Sequence, residues 1–359
     1  MTDESQSPLL VLDKVEEFLD SHNLGSGPLR AARIGDGQSN VTYRLDRDAS
    51  ILVLRRGPRP PFPKSAHDMV REAHLLQALA GAGLPVPVVR AIHEGSDILG
   101  VPFYVMDYLP GEIITTEVPA ALDTAGGRRS TSEALVDVLV TIHGIDWEQV
   151  GLAGFGQPEG YLQRQVARFS ALWDQNTTRD LPLVAQLGDW LERHRPHSGP
   201  ATVVHGDFRL GNIMFAPSVP GQLDARASVL AVLDWEMATI GDPLADLGYL
   251  VATYGEDGFD ETPLELSPVT RGANFLRRDD LVRRYAEQTG RSVDDLSWYL
   301  VLALWKAAVF CEAIYTRWLR GERPHDTTFA PRLEVGVQQL LAQANRATSG
   351  PGRPRHCQG

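Results

Sequence analysis

Asp207 and Asn212 stand five residues apart in Val204-His205-Gly206-Asp207-Phe208-Arg209-Leu210-Gly211-Asn212, and Asp234 ends the apolar run Val229-Leu230-Ala231-Val232-Leu233. Acid, amide, acid in that order is what a phosphoryl-transfer centre needs. One carboxylate orients the attacking hydroxyl, while an amide oxygen and a second carboxylate hold Mg²⁺ against nucleotide phosphates. Asp207 is the candidate catalytic carboxylate; a cap or surface-turn acid is the plainer alternative. Asn212 and Asp234 are the candidate metal ligands. An acid at the end of a buried strand is costly unless it meets a metal or a partner. The plainer readings are a turn residue after Gly211 for Asn212 and a helix N-cap for Asp234. Arg209 could meet a phosphate or only brace the loop.

The elements that position these groups follow from periodicity. Leu9 to Leu19 has helical spacing. Leu29–Ile34, Val41–Leu45, Ile51–Leu54, Val86–Ile92 and Pro102–Met106 read as strands, with a helix over His67–Leu79 whose apolar side is Val70, His74, Leu75 and Leu79. Proline-rich Arg56–Pro63 cannot continue a sheet. Breakers at Asp107-Tyr108-Leu109-Pro110-Gly111 mark a linker. Beyond it helices dominate: Ser132–His143, Tyr161–Asp174, Leu181–Arg193, Pro243–Ala252, Arg278–Glu287, Leu296–Leu319 and Arg332–Ala347. The expected division is 1–107, a mixed nucleotide-binding lobe; 108–347, a helical catalytic and substrate lobe, with the hinge near 106–111; and 348–359, a Gly/Pro/Arg-rich disordered tail.

Length and composition bound the rest. The chain has 359 residues, 43% hydrophobic and 22% charged, which is ordinary for a globular protein with two cores. Its net charge of −12 argues against a nucleic-acid partner. No run reads as long and apolar enough to span a membrane. The polar, acidic N-terminus is unlike a signal peptide. Cys311 and Cys357 make neither a disulfide framework nor a metal spacing, which suits a reducing cytoplasm.

A β-rich lobe, a hinge and a helical lobe carrying the acids form a two-lobe kinase plan. His205-Gly206-Asp207 with Asn212, then Asp234-Trp235-Glu236 and Gly241-Asp242-Pro243-Leu244-Ala245-Asp246-Leu247, resemble the aminoglycoside phosphotransferase family. Gly37-Gln38-Ser39-Asn40, Val53-Leu54-Arg55-Arg56, Ser65-Ala66-His67 and Ile142-His143-Gly144 are most similar to the branch found as the kinase-like half of acyl-CoA dehydrogenase fusions. The resemblance runs from about Ile34 to the last helix. It implies an α+β, protein-kinase-like fold with a small five-stranded antiparallel N-lobe, one main N-lobe helix and a larger helical C-lobe. It also implies ATP, with GTP not excluded, and Mg²⁺ as cofactors.

The same resemblance implies roles. Asp207 lies near the acceptor hydroxyl. His205 supports the loop more than it moves protons, and Asp246 ties the loop from below. Asp242, before Pro243, reads as a helix cap. Gly35, Gly37, Ser39 and Asn40 form a strand-loop-strand cover whose glycines let backbone amides approach phosphates, although hairpin turns look alike. Strand alternation puts Val53 and Arg55 on the cleft face if Leu52 and Leu54 face the core. Val53 would then pack on adenine. Arg55 stands where kinases carry a phosphate-binding lysine, a departure from the pattern; Lys64 is a remote stand-in. Glu72 is the natural partner of Arg55. Main-chain groups near Met106 and Tyr108 would meet adenine.

The acceptor is a small-molecule hydroxyl compound. Its candidate contacts are Glu236, Asp257 in the acidic run Glu256–Glu261, and Lys306 and Glu312 in the aromatic-rich helix. Asp257 would suit an amine-bearing sugar or merely solvate a loop, and Lys306 would suit an anion. These point in opposite directions, and fold does not decide substrate. A metabolite kinase is the reading preferred over an aminoglycoside 3′-type O-phosphotransferase, a hydroxyacyl-CoA kinase, or a catalytically weak pseudokinase. The expected assembly is a monomer or homodimer without nucleic-acid or membrane partners.

Overall fold

Apolar alternation builds the first sheet, seen in a computed structural model that describes residues 9–35, 40–59, 68–217 and 226–350. The chain forms two compact units. One takes in Met1–Pro110, Val150–Leu152 and Leu230–Glu236, and the other Gly111–Gln149, Ala153–Val229 and Met237–Gly359. The single boundary expected at 107/108 is thus replaced by a discontinuous one, and Asp234 and Glu236 belong to the N-terminal unit.

The N-terminal unit contains α1 (Leu12–Ser21), β1 (Arg30–Ile34), β2 (Val41–Arg47), β3 (Ser50–Arg56), α2 (Met69–Gly81), β4 (Val89–His93) and β5 (Phe103–Asp107). Its strands lie in the order β1-β2-β3-β5-β4, all neighbours antiparallel. Leu52 and Leu54 share a core with Leu45, Phe103, Val105 and the α1 residues Val15, Phe18 and Leu19. Each such leucine contributes about 2 kcal/mol on burial. Arg56 is buried too, and its guanidinium is satisfied by the carbonyls of Leu9, Gly57 and Leu99.

Two expectations shift for clear reasons. The second helix starts at Met69 because the Asp68 side chain accepts the Arg71 N–H as an N-cap. Its buried stripe is Met69, Glu72, Ala73, Leu75, Leu76 and Leu79, while His74 is exposed. β4 begins at Val89 rather than Val86, since Pro85 and Pro87 have no N–H for a ladder.

The C-terminal unit adds β6 (Glu112–Ile113), α3 (Ala125–His143), α4 (Tyr161–Asn176), α5 (Pro182–Arg193), β7 (Thr202–Val204) and β8 (Ile213–Phe215). β9 (Val229–Val232) leads to the Asp234 segment. After it come β10 (Thr239–Gly241), α6 (Leu244–Thr253), α7 (Arg278–Thr289), α8 (Leu296–Leu319) and α9 (Leu333–Ala347). α3 starts seven residues before the expected Ser132, because Thr124 caps it by accepting the Gly127 N–H at 3.0 Å.

α8 corrects the membrane reading. Its mean hydropathy of 1.4 and its length would permit a span, but 67% of that apolar window is buried in the protein. It is apolar nearly all round because it is a central core helix. The indole N–H groups of Trp298 and Trp305 donate to the Leu191 and Val184 carbonyls, fastening α5 to it. α6 also packs closely on α8: a Cβ on Gly248 would lie 2.8 Å from the Tyr299 backbone carbon. Buried Cys311 lies on α8 with its thiol pushed up to about 12, chiefly by burial.

Candidate active site

The loop that carries Asp207 and Asn212 follows a short paired strand of the C-terminal unit. β7 and β10 pair antiparallel with Val204 opposite Thr239, so the chain leaves β7 directly into His205-Gly206-Asp207. Gly206 has φ +85°, and a Cβ there would lie 2.6 Å from the Met237 carbonyl oxygen, so glycine is required twice over. Asp246, fully buried on α6, accepts the His205 and Gly206 backbone N–H groups at 2.7 and 2.8 Å. His143 lies 3.3 Å from the same carboxylate through Nε2 and 2.7 Å from the Tyr285 hydroxyl through Nδ1. Burial alone would raise the Asp246 pKa; the bonds and charge of His143 and His205 outweigh it and lower the value. Asp242 caps α6 through the Leu244 N–H and accepts the Tyr299 hydroxyl at 2.8 Å.

On that loop Asp207 has a defined orientation. The Asn212 amide nitrogen donates to Asp207 Oδ2 at 2.9 Å and to the Asp207 carbonyl at 2.8 Å. This engages the nitrogen and reserves the amide oxygen, the atom a cation would use. Arg209 Nε lies 3.5 Å from Asp207 Oδ2, so the arginine braces the carboxylate. His205 is buried, and its Nδ1 accepts the Asp207 N–H at 3.3 Å. The ring is thus bonded within the loop itself. Tyr249, three residues after Asp246 and so on the same side of α6, faces Asp207. Burial and then the Asp207 charge raise its phenol well above the ordinary value. The i, i+3 spacing from Asp246 was the signal that could have found it.

The N-terminal unit gathers a second cluster around Arg55. The guanidinium donates to Asp234 Oδ1 at 2.6 Å and lies 3.4 Å from Glu72 and 3.5 Å from Glu236. Burial would lower the Arg55 pKa, but Glu72, Tyr104 and Asp234 outweigh it and hold the group charged. The Glu72 carboxyl is pushed up to about 7, first by burial, against the pull of Arg55, with Asp234 and Glu236 adding repulsion. It accepts the Tyr104 hydroxyl at 3.1 Å. Tyr104 stands opposite Arg55 in the β3–β5 register, a relation no single strand reveals. Asn40 is buried and donates to Glu236 Oε2 at 2.6 Å. Asp234 sits at φ +65°, the left-handed region that strains a side-chain-bearing residue.

The remaining candidates divide. Val53 is buried opposite Met106 in the register, on the sheet face away from the Leu52/Leu54 core. The Tyr108 ring carries the Arg44 guanidinium 4.7 Å from its centre. Gly35 has φ +74° with open space around it. Gly37, Ser39 and Lys64 lie outside the described residues. Glu312 is not an acceptor contact: it is fully buried and taken by Arg179 and Thr177. In the acidic run, Glu256 pairs with Arg277 and accepts the Arg278 N–H, Asp260 pairs with Arg346, and Asp257 is exposed. Lys306 is held by Gln165 and Phe169.

A five-stranded antiparallel sheet bearing an Arg–Glu pair, and a helical unit bearing an acid–amide loop, define a protein-kinase-like phosphotransferase fold. The chain belongs to the phosphotransferase enzyme family APH, whose model matches residues 30–284. It is 34% identical over 364 residues to acyl-CoA dehydrogenase family member 10 of Mus musculus, an alignment covering 92% of this chain and 32% of that protein. The chain thus spans about a third of that relative's length. A Ralstonia eutropha crystal structure, provisionally named an aminoglycoside phosphotransferase, is 26% identical with a TM-score of 0.75, covering 93% of this chain and 98% of that one. A thermostable mutant of aminoglycoside phosphotransferase APH(4)-Ia, in ternary complex with AMP-PNP and hygromycin B, shares the fold at a TM-score of 0.59 and 18% identity, covering 94% and 99%.

Proposed function

We propose that the protein is an ATP- and Mg²⁺-dependent kinase that moves the γ-phosphoryl group onto the hydroxyl of a small metabolite. The observation that carries this reading is Asp207, fixed by Asn212 on a loop that Asp246 pins through two backbone amides. Asp207 orients the acceptor hydroxyl and takes its proton. Positioning counts for most of the effect because the transition state is loose. Arg209 holds the carboxylate in place, and Arg55 meets the phosphates.

Asn212 and Asp234 would hold Mg²⁺. Their hard oxygen donors suit it. So does the charge around Arg55: three carboxylates share one guanidinium, and Glu72 Oε2 is buried without a hydrogen bond among the described residues. Bound there, the ion would neutralise charge on the transferring phosphoryl group.

A metabolite is favoured over an aminoglycoside because Glu256 and Asp260 of the acidic run are spent on arginines of the same unit. The acyl-CoA dehydrogenase name of the mouse relative keeps a hydroxyacyl-CoA acceptor in view. The 2.6 Å Arg55–Asp234 bond is the one observation that favours a catalytically weak protein instead. We place the protein in the cytoplasm, as a monomer or homodimer without nucleic-acid or membrane partners.

Calorimetric titration of ATP and GTP with and without Mg²⁺ tests the reading, on wild type and Asp234→Ala. Binding that needs Mg²⁺ and is lost in the variant supports it; no binding of either nucleotide refutes it. In an acceptor screen, Asp207→Asn should abolish ADP release while keeping nucleotide affinity. Equal loss of both would contradict the role given to Asp207.

A further inference from the structure

Among the described residues Lys306 makes no ion pair, and its charge acts on those of Asp207 and Asp246 only at a distance. Lys306, on α8, donates from Nζ to Gln165 Oε1 at 3.0 Å and sits 4.7 Å from the centre of the Phe169 ring, both residues being on α4. By contrast, sixteen of the described arginines have a carboxylate partner. A half-buried ammonium held by one amide oxygen and a ring face is incompletely compensated. Burial first, then the Arg168 charge, push its pKa down to about 8, while Asp246 and Asp207 favour the charged form.

Three helices make this arrangement. α4 supplies Gln165, Arg168 and Phe169. α6 supplies Asp246 and Tyr249, whose phenol faces Asp207 and lies near Cys311 of α8. Gly248 lets α6 approach the α8 backbone. The charges left over are positive: Arg168 also has no ion pair among the described residues, and Arg209 flanks Asp207. The acids within reach of Lys306 are Asp207 and Asp246, both engaged by other partners.

Resting on the phosphotransferase reading above, we propose that the acceptor is an anion, and that Lys306 binds its carboxylate or phosphate group while its hydroxyl meets Asp207. A cationic acceptor would meet Lys306 and Arg168 as repulsion, so the same residue selects against amino sugars and amino alcohols.

Lys14, Lys64 and Lys306 are the only lysines of the chain, so reductive ¹³C-methylation gives a spectrum that can be read lysine by lysine. The Lys306 signal is the one missing in Lys306→Gln. The probes are inorganic phosphate, 3-hydroxybutyrate, its neutral methyl ester, and choline. Expected is a Lys306 signal titrating near pH 8, below the ordinary lysine range, and moved upward by about one pH unit, a tenfold preference for the charged form, when an anion is present. The ester and choline should leave it unmoved. Response to phosphate alone, or to the carboxylate alone, names the anion's source. Calorimetry with the same probes on unmethylated wild type, Lys306→Gln and Lys306→Arg covers the case in which Lys306 resists methylation; the arginine variant should keep anion binding. Anion binding that survives Lys306→Gln, no response to either anion, or an equal response to choline overturns the proposal. Mg²⁺–ATP binding measured on the same samples separates the failures. If it persists while anions fail, only this inference falls.

Discussion

Replacing Asp246 by Asn should loosen the catalytic loop without touching substrate. Asp246 accepts two backbone amides at 2.7 and 2.8 Å from a fully buried position. Hydrogen bonds to a charged group contribute about 1.5–3 kcal/mol each. An asparagine keeps one neutral acceptor oxygen and turns an NH₂ group toward the other N–H, leaving a buried donor facing a donor. One bond lost and one weakened is about 3 kcal/mol, or roughly a hundredfold in a local opening equilibrium. Native-state hydrogen exchange of the His205 and Gly206 amides reads that opening directly. Their exchange should rise about a hundredfold, while amides of β3 in the other unit stay unchanged. Because the folded Asp246 pKa is lowered, its contribution is present above the ordinary carboxylate range and is lost as pH falls through the lowered value. The wild-type loop should therefore lose protection on acidification below pH 4, and the variant should not show that extra loss. Unchanged exchange in Asp246→Asn would refute the claim that Asp246 holds the loop.

Three further outcomes follow from the Arg55 cluster. Asp234→Gly should be more stable than Asp234→Ala by about 1 kcal/mol, because both lose the same contacts and only glycine is unstrained at φ +65°; equal melting midpoints would show that no strain is stored there. Arg55→Ala should destabilise the protein by about 3 kcal/mol by leaving its carboxylates uncompensated, and Arg55→Lys by less while keeping part of the nucleotide affinity; identical kinetics for wild type and both variants would mean that Arg55 does not reach phosphate. Glu72 favours its neutral form in the fold, so its stabilisation is full below pH 4.5 and is lost as pH rises through about 7. Relative to wild type, Glu72→Gln should gain on the order of 3 kcal/mol between pH 4.5 and pH 8, and a stability difference independent of pH would count against a raised pKa.

Much of this was legible in the sequence, for definite reasons. Asp207 and Asn212 sit five residues apart on one loop, so chain order alone nearly places them, whereas Asp246, 39 residues after Asp207, was placed by the family resemblance. Alternation along β3 assigned Leu52 and Leu54 to the core and Val53 to the other face, and both hold. What was missed needs tertiary information. Tyr104 meets Glu72 only because β5 pairs with β3, and the acid Glu312 looked available until Arg179, 133 residues away, was found on it. Helix ends moved where a cap outranked periodicity, as at Thr124 and Asp68.

The choice of arginine at position 55 fits its surroundings better than the lysine of the usual kinase pattern would. Within the N-terminal unit one cation must serve Glu72, Asp234 and Glu236 at once, at 3.4, 2.6 and 3.5 Å. A lysine ammonium is a point charge whose pKa falls readily on burial; a guanidinium stays charged and presents donors along a planar fork. The fork lets Nη2 hold Asp234 while Nε faces Glu72. The same geometry sets a cost on nucleotide binding. On the proposed function, Arg55 would reach phosphate only by loosening its bond to Asp234, and Asp234 released alone, beside Glu236 and a strained backbone, would be unfavourable unless a cation took the place of the guanidinium. Arg55 and Mg²⁺ would then be alternatives on one carboxylate, and the proposed function predicts that nucleotide binding without the metal is weak for a reason built into this unit, independent of any contact the metal would make with phosphate.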